Sequence, residues 1–214
     1  MSSIAFLHAA TYALTQDIPP LHRGFMNEVK AEDIEEIINV HALGAAAAGL
    51  TSDWIFGGHG MEAATATVGF IWSMYYRINQ KLGLSLPKSI LKSLGTTVMI
   101  NASGIAMVLS CGREPVTNLS FTGICNVMSS TIMGSLDYAR LIVSGAIYLK
   151  LLVELFKVGR DPRSMTVDDL GKAAADVARH VNVGQMVKEA QGAYRQARKR
   201  GEATGKESVE LEKD

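Results

Sequence analysis

Residues capable of chemistry are few in this chain, and their spacing decides little. His59 and Glu62 lie three apart, and His41 comes near them if the helices on either side pair. Such i, i+3 pairs occur in helical di-metal sites, but those sites need several more inward carboxylates. The other candidate carboxylates, beside Glu114 at the middle break, are Asp137 and Glu154. The pair therefore reads as a turn histidine beside a solvated glutamate, and no metal or cofactor is expected. Serine, histidine and aspartate are all present, but no G-x-S-x-G elbow places a nucleophile. No G-x-x-x-x-G-K-S/T phosphate loop occurs, so nucleotide hydrolysis is not expected. No catalytic residue is assigned, and the chain reads as non-enzymatic.

A second constellation is electrostatic. Arg77, Lys81, Lys88 and Lys92 precede a long stretch almost empty of charge, and Lys150, Lys157, Arg160 and Arg163 follow it. From Leu94 to Gly112 the only ionisable side chain is Cys111, and from Pro115 to Leu136 only Cys125. Arg113 and Glu114 separate the two halves. Each half is near the roughly twenty residues that cross a bilayer as a helix. A hairpin turning at Arg113, with both ends on the cytoplasmic side, would carry its basic residues in this way. Asn101, Asn118, Asn126 and many Ser, Thr and Gly residues weaken insertion. Membrane association is therefore expected more firmly than true spanning. Asp137 and Arg140, one helical turn apart, read as an exposed-face or boundary pair beside the end of the uncharged run. Trp54, Trp72, Tyr75 and Tyr76 fit either an interfacial belt or core aromatics at helical spacing.

Composition bounds the rest. The 214 residues are 48% hydrophobic and 20% charged, with zero net charge. Mean hydropathy is +0.14, because charged ends dilute an apolar middle. No global field steers the chain to nucleic acid, and 7% aromatics offer no base-stacking platform. Nucleic-acid partners are not expected. The two cysteines sit in apolar surroundings and read as buried, reduced thiols. Met1 to Gln16 lacks a basic n-region and does not read as a signal peptide.

The elements that position these residues are helices, since no alternation of period two persists. Met1 to Gln16 reads as a short helix with Ile4, Leu7 and Tyr12 along one side, ended at Asp17-Ile18-Pro19-Pro20. Phe25 to Val40 is amphipathic, with Ile34, Ile37 and Ile38 against an acidic face. Ala42 to Leu50 is a small-residue segment whose Gly44 and Ala48 permit close helix approach. After a turn at Ser52 to Gly60, Met61 to Leu82 forms a long helix stopped at Gly83 to Pro87. Pro87 then suits the first turn of a helix over Lys88 to Leu109. Thr117 to Val158 holds one or two helices, with Gly134, Asp137 and Gly145 as interruptions. Thr166 to Asp169 resembles a capping box opening a helix, broken near Asn182.

The predicted fold is an all-α helical bundle with a central apolar helical hairpin and a separate charged C-terminal helix. Its expected divisions are a short helix and linker over 1–24 and an apolar helical domain over 25–158. A linker over 159–165, a C-terminal helix over 166–200 and a disordered tail over 201–214 complete it.

Four segments carry a family resemblance. They are the alanine-rich helix HALGAAAAGLTSDW from His41, the run from Met74 to Leu84 (MYYRINQKLGL), the helix from Lys88 to Leu94, and the stretch from Ser135 to Phe156. Together they resemble the helical domain of unknown function found after Era-like GTPases and in YcjF-type bacterial inner-membrane proteins. The family's proline-rich turn is replaced here by Trp54-Ile55-Phe56-Gly57-Gly58. The resemblance covers somewhat more than half the chain. It implies an accessory or scaffold domain on the cytoplasmic face of a bacterial inner membrane, with membrane lipids and a GTPase as partners. The binding surface expected on charge is Arg77, Lys81, Lys88, Lys92 and Arg113, with Asp137 and Arg140. The alternatives are an oligomeric pore or small transporter built around Asp137 and Arg140, and a soluble helical interaction module.

Overall fold

In the computed structural model, residues 3–17, 26–55, 60–98 and 130–200 are described. They are mostly helical and form an all-α bundle, with no strand among the described residues. Helix α1 spans Ser3–Gln16, α2 Ala31–Ile55, α3 Gly60–Leu82 and α5 Ser130–Lys157. Between the last two, α4 covers 88–98 of the described residues. A single 3₁₀ turn at Pro162–Ser164 leads to α6, Val167–His180, and α7, Val183–Lys199.

Local chemistry sets most of the boundaries. Glu32 and Asp33 occupy the first turn of α2, at the positive end of its dipole. Helix α3 stops at Gly83, whose φ of +72° favours glycine, and the Leu84 N–H closes back onto the Asn79 carbonyl at 2.8 Å. Asn27 caps the same end: its N–H reaches the Leu82 carbonyl at 3.0 Å and its Nδ2 the Lys81 carbonyl at 3.1 Å. Gly159 ends α5 in the same way, with the Arg160 N–H on the Leu155 carbonyl at 2.9 Å. Thr166 caps α6 through the Asp169 N–H, as its spacing predicted, and Asn182 caps α7 through the Gln185 N–H.

Helix directions follow from the side-chain pairs. Gly44 against Phe70, His41 against Ser73 and Asp33 against Lys81 make α2 and α3 antiparallel neighbours. Lys88 over Tyr76, Lys92 over Trp72 and Gly95 against Ile71 make α3 and α4 antiparallel as well. Thr67 with Asp137, Tyr75 with Ser144 and Asn79 with Tyr148 make α3 and α5 parallel. Parallel neighbours require the chain to return the length of the bundle, roughly 30 Å for helices this long. Helix α4 begins that return.

Helix α5 is the centre. It packs on α1, α2, α3, α6 and α7, and every residue from Leu141 to Leu149 is buried. A helix apolar all round must be covered all round, and here other helices of the same chain cover it. Among the described residues no helix is long and apolar enough to cross a membrane. The greater part of the uncharged stretch, with the turn at Arg113 and both cysteines, lies outside the described residues.

Several sequence expectations change. Gly134, Asp137 and Gly145 do not interrupt α5, which runs unbroken for 28 residues. Gly145 instead admits α2: a Cβ there would lie 3.0 Å from Ile38 Cδ1. The small-residue segment and the amphipathic segment before it are one helix, α2. On α1 the buried side is Leu7, Ala10, Thr11 and Leu14, leaving Tyr12 56% exposed. Its register follows α5 rather than the aromatic. Helices α6 and α7 are charged on one face, and their Leu170, Ala174, Val183, Met186, Val187 and Ala190 join the common core.

Candidate functional site

The antiparallel register of α3 and α4 brings two lysines onto two aromatic rings. Trp72 and Tyr76 are one turn apart on α3, with ring centroids 6.3 Å apart. Lys88 and Lys92 are one turn apart on α4. The Lys92 Nζ sits 4.8 Å from the Trp72 ring centroid. The Lys88 Nζ sits 5.7 Å from it and 5.3 Å from that of Tyr76. Ammonium groups are held there by the negative face of the ring. Both lysines are exposed, whereas Trp72 is buried and Tyr76 half-buried. The Trp72 Nε1–H has no acceptor among the described residues.

Arg77 and Lys81 belong to a different edge. Both are exposed on the side of α3 that faces α2. Lys81 pairs with Asp33 at 3.3 Å, a partly exposed contact of small worth. Arg77 lies close enough to His41 for its charge to disfavour the imidazolium there. The basic residues read from the sequence as one surface thus form two sets, and the aromatic-backed set is Lys88 and Lys92. Arg113 lies outside the described residues.

Asp137 and Arg140 require a correction. They are not an exposed-face or boundary pair: Asp137 is 1% exposed, and the Arg140 side chain is 12% exposed. The Arg140 Nη1 donates to Asp137 Oδ1 at 2.7 Å and the Thr67 hydroxyl to the same oxygen at 3.3 Å. The reason is the packing of α5, whose residues at this level are all buried or half-buried. Burial raises the Asp137 pKa, and the Arg140 guanidinium and the Thr67 hydroxyl oppose that shift without reversing it. Arg140 Nε has no partner among the described residues.

The same α3–α5 seam carries further polar groups that the sequence did not single out as a network. The Tyr75 hydroxyl pairs with Ser144 Oγ at 2.7 Å, and Asn79 Nδ2 donates to the Tyr75 carbonyl at 2.7 Å and to the Tyr148 hydroxyl. Burial pushes both tyrosine hydroxyls well above the usual range. On the other side of α3, His41 bonds the Ile37 carbonyl through Nδ1 at 2.7 Å and Ser73 through Nε2 at 3.2 Å. Polar residues recurring on two helices at one register offset were the available signal, visible only once the helices are paired.

These groups are sealed between helices and engaged with one another, which suits helix registration better than turnover. Among the described residues no group of three or more His, Cys, Asp or Glu is placed to hold a metal. The side chains of His59, Glu62 and Trp54 lie outside the described residues. A groove of about 660 Å³ between α1, α5 and α6 has an apolar floor including Phe6 and Leu155. Its rim holds Lys150 paired to Glu154 at 2.6 Å, with Asp176 and His180 opposite.

Comparison with protein-family models, with curated proteins and with solved structures returns no match. The fold and site together define an all-α bundle with a buried polar seam and a lysine pair set on aromatic rings.

Proposed function

We propose that this protein is a non-enzymatic helical scaffold that docks peripherally on an anionic membrane surface through the α3–α4 edge. The observation that carries the reading is the placement of Lys88 and Lys92 over Trp72 and Tyr76. Exposed ammoniums over a buried tryptophan and a half-buried tyrosine suit the boundary between lipid headgroups and water. Each lysine near an anionic leaflet contributes about 1 kcal/mol.

The resemblance to the GTPase-associated domain supplies the proposed protein partner and the cytoplasmic face of a bacterial inner membrane as the location. The test is flotation of the purified chain with vesicles of phosphatidylglycerol and phosphatidylethanolamine, against vesicles of phosphatidylcholine alone. The expected result is flotation with the anionic vesicles, weakened by added salt. Recovery wholly in the dense fraction at low salt would overturn it.

The covering of α5 by the chain's own helices supports a second reading, a soluble interaction module. That reading expects the dense-fraction outcome together with co-elution of the chain and an Era-type GTPase from the same genome.

A further inference from the structure

We infer that Lys88 and Lys92 form a binding site for a phosphate monoester, with phosphatidic acid in a membrane as its source. The choice of source rests on the membrane reading above; the chemistry of the site does not. Two ammoniums one helical turn apart both lie within 6 Å of the Trp72 centroid, so an anion seated between them on the solvent side meets both. A phosphate monoester carries about −1.5 to −2 charges and three strong acceptor oxygens near neutral pH. That matches a pair of ammonium groups. A phosphodiester headgroup carries a single charge and satisfies the pair less fully.

Three features prepare the site. The Trp72 and Tyr76 rings already hold the lysine ammoniums in place, so less side-chain freedom is lost on binding. Lys88 stands in the first turn of α4, directly after Pro87, where helix N–H groups and the dipole favour an anion. Lys88 rests on rings rather than on a carboxylate among the described residues, so an incoming phosphate displaces no ion pair of that lysine there.

The test has two arms, both on the full chain. In the first, cosedimentation compares phosphatidylcholine vesicles containing phosphatidic acid with vesicles containing phosphatidylglycerol, matched for total charge. In the second, inorganic phosphate is titrated while Trp72 fluorescence is followed in a Trp54→Phe background, which leaves Trp72 as the only tryptophan. Each arm is repeated with Lys88→Gln/Lys92→Gln and with a control of equal charge loss, Lys157→Gln/Arg160→Gln. All four of these positions are exposed, and unchanged far-ultraviolet circular dichroism verifies folding.

Preference for phosphatidic acid by about tenfold is expected, with about fivefold lost per lysine removed and little change in the control. Equal binding to both vesicles would overturn the monoester site while leaving membrane docking standing. Saturable fluorescence change with phosphate, absent in the lysine variant, together with no vesicle binding would uphold the site with a soluble phosphate ester and overturn the membrane source. No response in either arm would overturn both.

Discussion

Tyr75 of α3 and Tyr148 of α5 stack with ring centroids 4.1 Å apart and planes 19° from parallel. Their hydroxyls diverge, one to Ser144 and the other to Asn79. The pair fixes the axial register of two parallel helices that apolar packing alone would let slide by a turn.

Removing one hydroxyl of this network should therefore cost more than its hydrogen bond. Tyr148→Phe takes a partner from buried Asn79, whose Oδ1 already has none among the described residues. A loss of about 1–3 kcal/mol is expected in urea denaturation. Asn79→Leu combined with Tyr148→Phe replaces both polar partners with apolar groups of similar size. The double variant should be more stable than Tyr148→Phe alone. Additive losses would show that the network does not act as a unit.

The buried pair gives a second prediction, because removing one charge strands the other. Arg140→Met leaves the Asp137 carboxylate uncompensated, at a cost of about 3–5 kcal/mol near pH 7. Asp137 already has a folded pKa above its ordinary value, with burial the principal cause. Its contribution to stability is full below the unfolded value of 3.8 and is lost as pH rises through the folded value. Without Arg140 that folded value rises further, so the variant should regain stability on acidification over a wider window. Urea midpoints from pH 4 to 7 for wild type, Arg140→Met and Asp137→Asn measure this. A penalty for Arg140→Met that does not change with pH would refute the assignment.

His41 titrates with the opposite sign. Burial, opposed by the bond to the Ile37 carbonyl and aided by the Arg77 charge, holds its pKa below the ordinary 6.5. The unfolded chain then binds a proton that the folded chain refuses, so stability falls as pH drops from 6.5 toward the folded value. Arg77→Gln should raise the His41 pKa and shrink that loss, read by the histidine proton resonances. An unmoved resonance would show that Arg77 has no hold on the ring.

What the sequence made legible was local. Thr166, Asn182, Gly83 and Pro87 act within a few residues of themselves, and α3 ends where Gly83 requires. The all-α class followed from periodicity that never drops to two. The position of α5 was hidden, because a helix covered by five neighbours and a helix covered by lipid leave the same apolar record. Asp137 was misread for the same reason: one turn from Arg140, it looked like a surface pair until the neighbouring helices were placed. The aromatic seat of Lys88 and Lys92 depends on the register of α3 against α4, which no local spacing encodes.

Glycine positions separate these two kinds of information. Replacing glycine by alanine inside a helix gains up to about 1 kcal/mol from propensity where space is open. Gly171 of α6 and Gly192 of α7 have nothing within 4 Å of an added Cβ, so alanine there should raise the melting temperature. At Gly145 the new Cβ meets Ile38 Cδ1 at 3.0 Å and both Ile38 Cγ atoms at 3.1 Å. Overpacking a close helix crossing costs about 1–3 kcal/mol, which exceeds the propensity gain. Gly145→Ala should therefore destabilise the protein. Ile38→Val clears the Cδ1 contact while keeping the branched Cγ atoms, so it should rescue Gly145→Ala only in part. Ile38→Ala clears all three contacts and should remove the Gly145→Ala penalty, though at its own cavity cost of about 2–5 kcal/mol. Equal effects of alanine at Gly145 and Gly192 would mean that α2 does not approach α5 at that glycine.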